Sequence, residues 1–164
     1  MQVAYRVSQS PGKGQGIFLL EPVPQYALVW EFSAANLRVY NERGARELVA
    51  QTQPAGLTNL LSYAYFSADG LLVDLREDDG RFFNHSGTPN VALGSVLLAQ
   101  GIPGDFHPMS TYALRDLQSG EELLDDYNTY GTPFCGPTKR NKRRKGIYYY
   151  AWEKKNKKES NVPQ

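Results

Sequence analysis

Residues 81–90, RFFNHSGTPN, place an amide (Asn84), an imidazole (His85) and a hydroxyl (Ser86) side by side. Two phenylalanines precede them and would anchor the stretch in a core. Gly87 and Pro89 then force an irregular backbone. An anchored loop of short polar groups is how a protein holds hydrogen-bonding groups still against a ligand. The same composition also makes a self-satisfied turn, so partners elsewhere in the chain decide between the two readings.

Two further stretches supply such partners. Residues 12–18, GKGQGIF, read as a glycine turn feeding a strand. No helix pattern opens after the glycines, so this is not a dinucleotide-type phosphate loop. A plain hairpin and a turn that brings bare backbone close to a ligand both remain open. Residues 120–131, GEELLDDYNTYG, bring paired acids and a tyrosine to a short extended segment.

The elements that must position these groups are mainly strands. Short strands are expected over residues 4–8, 17–20 and 26–32, and over 91–100 with an interruption at Gly94. Another is expected over 111–117. Residues 36–51 have helical spacing weakened by Gly44, ended by Pro54 and Gly56. The run 57–66, LTNLLSYAYF, then reads with 71–75 as two strand-like segments joined at Asp69-Gly70.

The bulk numbers fit one globular domain. The chain has 164 residues, 41% hydrophobic and 21% charged, with 15 Gly and 10 Pro. No apolar run approaches bilayer length, and residues 1–10 lack a signal-peptide pattern. With one cysteine, Cys135, no intrachain disulfide can form, and an intracellular protein is expected. One cysteine and two histidines, His85 and His107, also argue against a metal site.

Charge is unevenly distributed. Up to Pro137 there are 8 Lys/Arg against 15 Asp/Glu; from Thr138 there are 10 against 2, giving the net +1. The basic run KRNKRRK, residues 139–145, reads as a solvated charge run, a nuclear address or a nucleic-acid contact.

The order GxG, RFxNHSxxPN, GEELxxDY resembles the SET-domain family of protein lysine methyltransferases over roughly residues 5–131. That resemblance implies a mainly β fold with short helices: a β-clip-like set of small curved sheets with a pseudoknot-like crossing near the C-terminus. It implies a SET domain over 1–131 with a helical insert near 36–66, a basic and aromatic C-terminal segment over 132–158, and a frayed end over 159–164. The implied reaction is methyl transfer from S-adenosylmethionine to a protein lysine, without a metal. A histone tail is the first substrate suggested and a non-histone protein the second. A catalytically silent module binding peptide or nucleic acid is the alternative from another class. No membrane partner is expected, and oligomeric state stays open.

Residue by residue, the resemblance makes Tyr127 catalytic. Lys13, Gly14, Gln15, Gly16, Arg81, Asn84 and His85 would face the cofactor, His85 largely through its backbone. Trp152 is a candidate to stack on adenine. Tyr63, Tyr65, Tyr112 and Tyr130 are candidates to line the lysine channel. Asp125 stands where the family often has Phe or Tyr, and is expected at the channel rim, because a carboxylate inside would hold the ammonium protonated. FCG at residues 134–136 is similar to the start of a zinc-binding closing segment, but the remaining cysteines are absent.

Overall fold

The structure is a computed structural model that describes residues 1–33, 37–67 and 71–130. In chain order the elements begin with strands β1 (Tyr5–Ser10), β2 (Gly14–Leu19), β3 (Leu28–Trp30) and β4 (Arg38–Tyr40). Helices α1 (Glu42–Gln51) and α2 (Pro54–Tyr63) follow, then β5 (Ala64–Phe66), β6 (Leu72–Asp74), β7 (Asn84–His85) and β8 (Val91–Leu93). The last are α3 (Gly94–Ala99), β9 (Thr111–Ala113) and β10 (Leu124–Asp125), with 3-10 turns at Asp79–Phe82 and Tyr127–Thr129. Small sheets and few short helices bear out the expected mainly β class.

The chain divides into two compact units. The first comprises Met1–Val39 and Leu75–Thr129. In it β1 and β2 form an antiparallel hairpin from Tyr5↔Leu19 to Ser10↔Gly14, so the glycine turn is a hairpin loop. A three-stranded sheet runs β3-β9-β8, and β7 pairs with β10 in parallel. Ile17, Leu19, Val29, Val91, Ala113, Leu117 and Leu123 are all fully buried and build the core. Burying side chains of this size stabilises by about 1.5–3 kcal/mol each.

The second unit contains Tyr40–Asp74 and Tyr130. Helix α1 starts where Asn41 accepts the Gly44 N–H at 2.9 Å, an N-cap the sequence pattern had left unassigned. Its exposed face carries the i,i+4 pairs Glu42–Arg46 and Arg43–Glu47. Ala45, Leu60, Ala64 and Leu72 form the buried cluster.

Two expected strands are helices. Residues 57–63 lie in α2, within the helical insert the resemblance implied: Pro54 opens the helix, and Leu57 and Leu60 pack in one cluster with Ala64 of β5. Residues 94–99 lie in α3, beginning at the interruption. There the N–H groups of Gly94 and Ser95 bond the carbonyls of Ser110 and Pro108 at 2.8 and 2.9 Å, satisfying donors that a helix start leaves open. Only glycine fits at 94, since a Cβ would stand 2.3 Å from the His107 carbonyl oxygen.

Candidate functional site

The three polar stretches meet on one threaded segment. Residues 117–123 run antiparallel to the chain around β2: Leu19 N–H bonds Glu121 O at 2.9 Å, and Leu123 N–H bonds Ile17 O at 2.8 Å. On the other side β10 lies beside β7, with Leu124 opposite Asn84 and Asp125 opposite His85. Asn90, nearly buried, closes the crossing with its side chain. It donates to Glu122 O and accepts from Leu124 N–H, both at 2.8 Å.

Asn84 ties the middle stretch to the other two. Its amide donates to Gln15 O at 2.9 Å and to Glu122 Oε1 at 2.7 Å. Two donated bonds identify the amide nitrogen, so the carbonyl oxygen remains as the acceptor. Glu122 also accepts the Ser10 hydroxyl at 3.0 Å. A Cβ on residue 16 would fall 2.3 Å from Glu122 Oε1, which is why glycine stands there. Neighbouring side chains on an extended segment point opposite ways. Glu121 accordingly turns from the network and takes Arg115 in two contacts of 2.6 and 3.1 Å. That hydrogen bond, ahead of any other cause, holds the Glu121 carboxyl below its ordinary range.

Tyr127 is held by the stretch on either side of Asn84. Its hydroxyl donates to the Phe83 carbonyl, and its backbone N–H reaches His85 Nδ1 at 3.2 Å. The two rings lie 5.4 Å apart, tilted by 41°. Although aromatic, Tyr127 is 38% exposed.

Residues 78–83 deliver the chain into this site. Asp78 Oδ1 accepts from Trp30 Nε1 at 2.7 Å and Gly80 N–H at 2.6 Å. Asp79 accepts the Tyr5 hydroxyl at 2.6 Å, and this bond to a carboxylate pushes the phenol up to about 12. Of the phenylalanine pair, Phe83 is the core anchor; Phe82 lies under the Arg81 guanidinium at 4.5 Å.

The structure brings Gly14, Gln15, Gly16, Asn84, His85 and Tyr127 together, and leaves other candidates elsewhere. Lys13 sits exposed on the hairpin loop, its N–H bonding Ser10 O at 3.1 Å. The Arg81 guanidinium folds back onto the Arg76 carbonyl, bracing its own turn. Tyr112 is a core residue, not a channel wall: it is buried against Leu97 and Phe106, where its oxygen accepts the His107 N–H at 2.9 Å. Asp125 is not at a rim either. It is 0% exposed, and its Oδ1 accepts the Asp126 N–H at 2.7 Å. Parallel pairing with β7 packs residue 125 inside, whereas the cost of a carboxylate beside a substrate ammonium had suggested the rim.

Tyr63, Tyr65 and Tyr130 belong to the second unit, where Tyr65 and Tyr130 rings meet at 4.6 Å. Trp152, the FCG segment and the basic run lie outside the described residues. Among the described residues no group of three or more His, Cys, Asp or Glu could hold a metal, and no helix is long and apolar enough to cross a membrane. The contribution sequence reasoning passed over is Glu122. Its signal was there in the GEEL run, but a carboxylate's partners cannot be read from neighbours in sequence.

Comparison with known proteins returns one family. Its profile, described as "SET domain", matches residues 14–128. The zebrafish N-lysine methyltransferase KMT5A-A is 31% identical over 71% of this chain and 33% of its own length. A histone-lysine N-methyltransferase specific for H3 lysine 36 from Mycosarcoma maydis is 26% identical over 79% of this chain and 13% of its own. The chain thus spans a third or less of these two relatives. The Neurospora SET domain protein DIM-5, a histone lysine methyltransferase, superposes with a TM-score of 0.54 at 17% identity, covering 89% of this chain and 56% of that one. At that identity the likeness supports the fold alone.

Proposed function

This chain belongs to the SET-domain family, and on that premise we propose that it transfers a methyl group from S-adenosylmethionine to a lysine amine of a protein. The observation that carries the reading is the convergence of Gln15, Asn84, Glu122 and Tyr127 through the bonds described above. The donor set suits such a cofactor. A sulfonium is a cation and favours oxygen acceptors; the Asn84 carbonyl oxygen and the Tyr127 hydroxyl oxygen are of that kind. The turn at Gly14 is bare, with φ of 85° and no atom within 4 Å of where a side chain would start.

When bound, the cofactor supplies an activated methyl on a good leaving group. The protein's tasks are then to position, exclude water and keep the lysine neutral. Donating to Phe83 O, the Tyr127 hydroxyl would act through its oxygen as an acceptor toward the amine and the methyl hydrogens. With substrate bound, the Tyr127 ring would be part of an apolar wall that excludes water, disfavours the ammonium and lowers the pKa of a lysine from about 10.4. A basic, histone-like tail is the favoured substrate class, because residues up to Pro137 carry an excess of acids. A nuclear setting, with KRNKRRK as address, belongs to the same proposal.

A radiolabelled methyl-transfer assay on core histones and a cell lysate tests this, with Tyr127→Phe as control. Label on lysine that disappears in the variant is expected. Label that persists unchanged removes Tyr127 from its role. No label on any substrate, with no calorimetric heat on titrating S-adenosylmethionine, would leave the silent binding module as the reading.

A further inference from the structure

Resting on the reading just given, one side chain gains a role that goes beyond cofactor contact. The 3-10 turn Tyr127–Thr129 opens with an N–H that has no carbonyl of its own turn to bond. The His85 ring fills that place, its Nδ1 lying 3.2 Å from the Tyr127 nitrogen. The parallel register, Asp125 opposite His85, is what brings an imidazole 42 residues earlier in the chain beside this turn.

A second group competes for the same nitrogen, the Asp126 carboxylate, whose Oδ1 is 3.7 Å away. Nδ1 has one site in the ring plane, so it either accepts from Tyr127 or carries a proton toward Asp126. Distance favours the first, because 3.7 Å exceeds hydrogen-bond length. Asp126 Oδ1 is moreover already engaged, accepting from Asn128 N at 3.0 Å and Asn128 Nδ2 at 2.7 Å.

We propose that His85 is a positioning residue for Tyr127: neutral, with its proton on Nε2, it fixes the tyrosine backbone through Nδ1. The hydroxyl is fixed separately by Phe83 O. Tyr127 is therefore clamped at both ends by residues 83 and 85, while Asn84 between them faces the glycine turn and Glu122. Strand alternation lets one short segment serve both walls of the site. Without the backbone anchor the hydroxyl keeps its bond but the ring can pivot about it, and a displacement of about 1 Å at a reacting centre costs up to about a hundredfold in rate.

Two measurements decide the matter. Nitrogen NMR of the free protein, with His107→Gln to assign the two rings, should find His85 with Nδ1 unprotonated and Nε2 protonated. A proton on Nδ1 in the neutral ring overturns the proposal. In kinetics, His85→Ala should lower kcat about tenfold or more. Calorimetric affinity for S-adenosylhomocysteine should meanwhile shift less than about threefold. His85→Asn places an oxygen where Nδ1 stood and should recover most of kcat. If both variants are folded by circular dichroism and equally slow, or if His85→Ala loses cofactor affinity as steeply as kcat, the role is refuted. Should the wild-type protein methylate nothing, the proposed function fails, and the NMR result alone still decides the place of the proton on His85.

Discussion

At the scale of single residues, Gly16 shows how tightly the site is drawn. The atom a Cβ would strike is the end of the Glu122 side chain, 2.3 Å away, not backbone. Gly16→Ala should therefore swing the carboxylate off Asn84 and leave the hairpin intact. Losing that charge-assisted bond is expected to cost about 1–3 kcal/mol. Thermal denaturation should show a lower midpoint, and calorimetry a weaker affinity for S-adenosylmethionine, because Asn84 loses its orientation. An unchanged midpoint and affinity would mean that Glu122 does not position Asn84.

Between elements, the crossing of residues 84–90 with 122–125 depends on Asn90. Its amide caps a carbonyl and an N–H on β10 and the residue pair before it. Asn90→Ala leaves both groups short of a partner in a nearly dry place and should destabilise by about 2–5 kcal/mol in urea unfolding. A loss below about 0.5 kcal/mol, the size of an ordinary surface change, would contradict this.

The turn that feeds β7 has a pH signature. Tyr5 is raised from 10.0 to about 12 by its bond to Asp79. A group raised on folding stabilises fully below its unfolded value and loses that contribution as pH climbs through the folded one. Stability should fall between about pH 10 and 12, and Tyr5→Phe should flatten that part of the curve. Identical pH profiles for the two proteins would show that the bond does not persist in solution.

Over the whole molecule, charge bears on substrate choice. The 8 Lys/Arg and 15 Asp/Glu up to Pro137 favour a cationic partner, while the 10 Lys/Arg from Thr138 oppose it. KM for a Lys/Arg-rich peptide should rise severalfold as salt goes from about 0.05 to 0.5 M, a range over which the Debye length shrinks to a few ångströms. Truncation before Thr138 should steepen that dependence. A salt-insensitive KM in both proteins would exclude electrostatic recognition of the substrate.

The sequence by itself determined the family pattern, the predominance of strands, the first helix and the identity of Asn84, His85 and Tyr127. These rest on residue type and short spacing, which survive without coordinates. Only the tertiary structure decided that Tyr112 is core, that Asp125 is buried beside β7, that 94–99 is helical, and that 57–63 follows the helical insert implied by the resemblance and not the strand reading of its run. It alone made Glu122 the group linking Ser10 to Asn84, and His85 the group that meets the Tyr127 backbone. Each of these depends on contacts across many residues of chain. Apolar runs such as LTNLLSYAYF have two permitted periods, and packing selects between them. The partner of a polar side chain is likewise set by whichever strand lies beside it, as β10 beside β7 does here.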